Sequence, residues 1–157
     1  MRGLGQAVPA ITAVSGTLDL LSAFLFSGFS GRTPMQVLRS VASGPFGNEA
    51  MQGGGGYAVL GFLTHYAIMA VMVTVYCLAA HRIPSLLRHP AIAGLAYGVI
   101  LYLVMYWLVL PWRFPTRFPQ LGWWPVGNAL FSHCVCVGLP MGLLARHFLG
   151  TSDTARG

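Results

Sequence analysis

Four apolar segments of roughly twenty residues or more fill most of this chain, and no other feature restricts its fold as strongly. They run from about Val8 to Ser30, Gly55 to Ala80, Ala91 to Leu110 and Val126 to Phe148. At about 1.5 Å of rise per helical residue, each can cross about 30 Å of hydrocarbon. The runs are continuous, which excludes the alternation of a barrel strand. They also lack the charged face that a helix of a soluble bundle keeps toward water. Charged residues make up 8% of the chain, and mean hydropathy is +0.67. The predicted fold class is an all-α integral membrane bundle of four transmembrane helices. Residues 1–157 are expected to form one domain, with the lipid bilayer as its solvent and partner.

Between the first and second spans lies a short amphipathic element. Thr33-Pro34-Met35-Gln36 combines a capping residue, a proline suited to the first helical turn and a glutamine three residues after the cap. A helix over about 34–43 follows, with Met35, Leu38, Val41 and Ala42 on one side and Gln36, Arg39 and Ser43 opposite. It is expected to lie in the membrane interface and to stop at Gly44-Pro45. Asn48 to Gly56, ending in four glycines, is expected as a flexible lead-in to the second span. It lacks the lysine and hydroxyl of a phosphate loop. The loop Pro111 to Pro125 carries Trp112, Phe114, Phe118, Trp123 and Trp124, a density expected at the headgroup level. Cys77, Cys134 and Cys136 fall inside spans and are expected as buried small hydrophobes. Cys134 and Cys136 stand about 200° apart on a helix and form no local metal clip. The first apolar run has no small-x-small cleavage pattern after a short core, so it is expected to remain as an uncleaved span.

All nine basic residues are arginine, the acids are Asp19, Glu49 and Asp153, and the formal net charge is +6. The arginines stand singly or in pairs at segment ends, whereas a nucleic-acid binder needs a clustered basic face. No nucleic-acid partner is expected. Four spans place Arg2, Arg82, Arg88, Arg146 and Arg156 on one side of the membrane, against Arg32, Arg39, Arg113 and Arg117 with Glu49 on the other. Five against four puts both termini in the cytoplasm by the positive-inside rule.

The first span carries Thr12, Ser15, Gly16, Asp19, Ser22 and Ser27 on one helix face. Small and hydroxylated residues of this kind suit close helix packing and interhelical hydrogen bonds. Asp19 stands apart, because an ionised carboxylate near mid-membrane costs at least about 2.5 kcal/mol unless it is paired. His65 of the second span and His133 of the fourth fall within roughly one helical turn of its level. Asn128 and Ser132 extend the polar set along the fourth span. Three interpretations follow. A carboxylate and two imidazoles can pass protons or ions, as in small-solute or proton transport, with Tyr66, Tyr76, Tyr97, Tyr102 and Tyr106 adding hydroxyls. The same set can be a polar knot that fixes helix register in a structural or accessory subunit of a membrane complex. Finally, His65 and His133 could ligate a b-type haem. Transport is the preferred interpretation. His81, His89 and His147 lie at span ends and imply no site.

Gly94-xxx-Gly98 and Gly138-xxx-Gly142 mark close helix contacts and candidate homo-oligomer surfaces, with a kink expected at Pro140. The chain contains no Gly-x-Ser-x-Gly and no His-Glu-x-x-His, and its three acids form no carboxylate pair. An enzyme is not expected, and neither metal nor cofactor is assigned. Thr64-His65 followed by Tyr76-Cys77, then Ile83-Pro84 and a glycine-rich third span, together with Ser22-Ala23-Phe24 and His133, resemble the YagU-like inner-membrane proteins of bacteria. The similarity extends from about Ser15 to Arg146, although this chain is shorter and Asp19 has no matched counterpart. It implies a multi-pass protein of the bacterial inner membrane and brings no catalytic residues. The orientation is directly testable: a fluorescent protein fused to the C-terminus is expected to fluoresce, while alkaline phosphatase fused there is expected to be inactive. Active phosphatase would invert the topology.

Overall fold

Glycine and proline govern how closely the helices of this chain approach and how each one winds. The computed structural model describes residues 2–150. Helix α1 spans Arg2–Gly28, α2 spans Pro34–Phe46 and α3 spans Gly55–Arg82. A single turn, α4, covers Ser85–Arg88. It is followed by α5 over Pro90–Arg113 and α6 over Trp123–Leu149. Helices α1, α3, α5 and α6 are long and apolar enough to cross a membrane, and no strand occurs among the described residues. The chain is an all-α, four-span membrane bundle. Leu25, Val59, Val71, Ile92, Leu108 and Leu143 are exposed on its outer faces, as side chains turned toward lipid tails must be. Helix α1 begins earlier than expected, with Pro9 inside it. The carbonyl that loses a donor to Pro9 is that of Gly5, an exposed residue near the helix start. Arg156 and Asp153 lie outside the described residues.

The α5–α6 pairing rests on glycine. A Cβ added to Gly94 would fall 2.2 Å from the Gly138 carbonyl oxygen, and one on Gly98 would fall 2.4 Å from the His133 carbonyl oxygen. Conversely, a Cβ on Gly142 would fall 2.1 Å from the Pro90 carbonyl oxygen. The two small-xxx-small faces therefore cover one another inside a single chain.

The connection from α1 to α3 departs from expectation in three ways. Helix α2 does not stop at Gly44-Pro45 but reaches Phe46. There Arg113 of α5 donates from Nε to the Gly44 carbonyl (2.7 Å) and from Nη2 to the Ser43 carbonyl (2.8 Å). These are carbonyls that a helix end leaves open. The buried side is also different: Val37, Ala42 and Ser43 are buried, while Met35 is 48% exposed. Ser43 tolerates burial because its hydroxyl donates to the Ser40 carbonyl at 2.7 Å. Finally, Asn48–Met51 is a 3-10 turn with Ala50 buried, where a flexible lead-in was expected. The capping box is formed, with Gln36 N–H donating to Thr33 Oγ1 (3.3 Å) and Thr33 N–H to Gln36 Oε1 (2.8 Å). Helix α2 lies across α3 so closely that a Cβ on Gly61 would reach 1.9 Å from the Leu38 carbonyl oxygen.

Neither α5 nor α6 is uniformly wound. Val104–Val109 and Ser132–Gly138 are π-helical, and each stretch ends two residues before a proline, Pro111 and Pro140. Proline offers no N–H to the carbonyl four residues back, and a widened turn lets that carbonyl reach a donor five residues on. At Pro140, where a kink was expected, the helix is π-wound just before the proline. The apolar core, including Ala7, Ile11, Val73, Tyr76, Met141 and Ala145, fills the half of the bundle nearest the N-terminus.

Gly98→Ala is expected to destabilise the protein by about 1–3 kcal/mol, because backbone atoms rather than a flexible side chain must give way. Gly127→Ala, with no atom within 4 Å of its added methyl, should be neutral or mildly stabilising. Thermal unfolding in mild detergent compares the two.

Candidate functional site

Asp19, His65 and His133 each lie about ten residues, or about 15 Å, from the α2 end of their spans. Equal depth brings α1, α3 and α6 together at one level. Ser132 Oγ donates to Asp19 Oδ1 at 2.6 Å, at the short end of the O–H···O range. Ser132 has a single hydroxyl proton. With that proton on Asp19, the 2.7 Å contact between the Ser22 and Ser132 hydroxyls is donated by Ser22. The result is a directed chain, Ser22 to Ser132 to Asp19, between α1 and α6. Ser15 Oγ adds a longer bond to the Val137 carbonyl at 3.4 Å. Ser132 and Val137 both belong to the π-helical stretch of α6.

His65 reaches the same carboxylate from α3. Its Nε2 lies 2.9 Å from the Gly16 carbonyl oxygen, and a carbonyl only accepts, so Nε2 carries a proton. The other ring nitrogen, Nδ1, faces Asp19 Oδ2 at 3.9 Å. That is about 1 Å longer than a hydrogen bond but within ion-pair range. With a proton on Nδ1 the two groups attract as an ion pair. Without it, two lone-pair-bearing atoms face each other. The approach of α1 to α3 depends on Gly16, where a Cβ would fall 2.9 Å from the Tyr66 ring. Tyr66 in turn exchanges a 2.7 Å hydrogen bond with Thr17 Oγ1 and stands edge-on to His65 at 5.3 Å.

His133 is at the expected depth but does not bond to Asp19. Its Nδ1–H donates to the Ala129 carbonyl one turn back at 2.9 Å, which leaves Nε2 as the atom free to take a proton. The ring meets the edges of Tyr102 and Tyr106, at 6.5 and 5.8 Å between centroids. Asn128 lines the same cavity as His133. The paired-imidazole haem interpretation does not fit this arrangement. Both ring nitrogens of His65 are already directed at protein atoms, and an axial ligand needs one free. Among the described residues no group of three or more His, Cys, Asp or Glu side chains is placed to hold a metal ion.

Asp19, His65, His133 and Asn128 line a cavity of about 430 Å³. Ser40, Val41, Gly44 and Pro45 of α2 line it from above, and Arg32, Arg113 and Arg117 stand at its mouth. Met69 and Val137 both line the cavity and border the apolar core. The cavity is thus a vestibule that runs from the exposed Arg32 and Arg117 at the α2 end to the packed side chains of the apolar core. The arginines and the role of α2 as a wall were not assigned from sequence. The one available signal was that Arg32, Arg113 and Arg117 flank spans at the same end of the bundle.

No family model, curated protein or solved structure matches this chain.

Ser132→Ala removes the donor to Asp19 and is expected to lower stability by about 1–3 kcal/mol. Ser22→Ala leaves the carboxylate its donor and should cost less. Unfolding midpoints of the two variants in the same detergent test the direction of the chain.

Proposed function

We propose that this protein is a small proton-coupled transport protein in which the Asp19–His65 pair is the protonation site on the wall of the vestibule. One observation carries this proposal: Nδ1 of His65 and Oδ2 of Asp19 oppose each other at 3.9 Å on the wall of a cavity that extends to the exposed Arg32 and Arg117. With Nδ1 protonated, the ion pair ties α1 to α3. When the proton leaves, the two atoms repel and the contact loosens. His133 Nε2 is the second acceptor along the same wall. Ser132 and His133 lie on the π-helical stretch of α6, a winding that occurs frequently at functional sites. The core beneath the vestibule is the barrier such a movement has to open. The arginine balance and the YagU-like resemblance support a bacterial inner membrane with both termini cytoplasmic, which directs the vestibule outward.

The hydroxyl chain from Ser22 to Asp19 equally suits a purely structural role in a membrane complex, so the decisive test separates folding from flux. Wild-type protein and Asp19→Asn are reconstituted in liposomes holding a pH-sensitive dye, and a potassium diffusion potential drives proton entry. Wild-type flux is expected to exceed that of the variant at least about tenfold, which corresponds to about 1.4 kcal/mol of barrier, with similar unfolding midpoints. Equal flux in both, or none above empty liposomes, overturns the proposal. A variant that is destabilised with no change in flux favours the structural role.

A further inference from the structure

Of the four arginines at the α2 end of the bundle, three line the vestibule: Arg32, Arg113 and Arg117. Arginines that serve only as membrane anchors need not converge on a cavity. Among the described residues the one ion pair is His65 with Asp19, so these three guanidiniums face no carboxylate partner. Among the described residues Asp19 is the only acid on the cavity wall, and its Oδ1 is already engaged by Ser132. Arg113 is held in place by the Ser43 and Gly44 carbonyls and by the Phe114 ring, 4.8 Å from its guanidinium carbon. Its remaining N–H groups are left for a ligand. Below the arginines, beside the polar set of Asp19, His65 and His133, the wall carries the apolar side chains of Met69, Met72 and Met105. Methionine adapts its shape to varied apolar groups.

These features select a ligand class by elimination. A cation is repelled at the mouth. A neutral hydrophobe gains nothing from three guanidiniums, and a small inorganic anion gains nothing from the methionine wall. We propose that the vestibule binds an organic anion with a phosphate or carboxylate head and an apolar body. The head is held by Arg32, Arg113 and Arg117, and the body lies along the methionines. Arginine suits such a head because its planar fork matches two oxygens at once. The assignment rests on the vestibule being the solute site of the proposed transport, and names its substrate class. A membrane phospholipid and a free amphiphilic anion share this chemistry.

The test uses decyl phosphate and decanoate as probes, with decanol and decyltrimethylammonium as controls, titrated calorimetrically into full-length protein in an uncharged maltoside detergent. Both anions are expected to bind, more weakly as salt is raised. The controls are expected not to bind. The Arg32→Gln/Arg117→Gln double variant changes two exposed side chains and spares Arg113, which caps α2. It should weaken anion binding at least about tenfold while its unfolding midpoint is retained. Binding of decanol or the quaternary amine as tight as that of decyl phosphate overturns the assignment, as does unchanged binding by the double variant. The titration is then repeated in phosphatidylcholine nanodiscs with and without phosphatidylglycerol. Competition by the anionic lipid identifies the source as a membrane headgroup, and its absence identifies a free anion. Loss of binding in phosphatidylcholine nanodiscs overturns the proposal. Asp19→Asn should still bind decyl phosphate, so failure of proton flux alone would reject coupling and leave the ligand class standing.

Discussion

The carboxylate of Asp19 stands among apolar helices, and the contacts it makes with them organise the bundle around it. Its short bond from Ser132 ties α1 to α6, and its opposition to His65 ties α1 to α3. Ser22 extends the first contact and Gly16 the second, through its carbonyl and through the room it leaves for Tyr66. The polar face of α1 is thus the seam along which two other spans are registered. In lipid, where apolar side chains gain nothing by leaving the solvent, hydrogen bonds and close packing must carry this registration.

Close packing comes from backbone meeting backbone. At Gly94, Gly98, Gly138 and Gly142, and where α2 crosses α3 at Gly61, added methyl groups would overlap carbonyl atoms of the neighbouring helix. Proline acts at the same junction. The carbonyl orphaned by Pro140 is accommodated by the π-helical winding of Ser132–Gly138. That stretch carries Ser132 toward Asp19 and bears His133. A helix irregularity required by chemistry in α6 is therefore also what sets the polar site.

Much of this was legible in the chain. Continuous apolar runs with few charges have one stable solution in a bilayer, and Thr33-Pro34-Met35-Gln36 marks its helix start through local bonds alone. The depth of Asp19, His65 and His133 followed from helix rise, and the stripe on α1 did pack against the other spans. The inner side of α2 was not legible, because Ser43 is buried through a bond to its own helix and by a carbonyl contact from Arg113, which is seventy positions away. Nor was the separation of His133 from Asp19, since the Ala129 carbonyl and two tyrosine rings compete for its imidazole.

The amino-acid sequence by itself determined that the chain is a four-span helical membrane protein, which helix ends carry arginine, and at what depth the ionisable side chains lie. Each of these depends only on the composition and length of a segment, because the bilayer imposes the same demand on every span. Tertiary structure alone decided which side chains meet. Rotation of each helix about its axis is set by contacts between residues distant in the chain, such as Ser132 with Asp19 or Gly98 with His133. The vestibule is the consequence of those rotations: three arginines from separate segments and the Asp19–His65 pair share one cavity because α2 is docked across α3 and capped by Arg113.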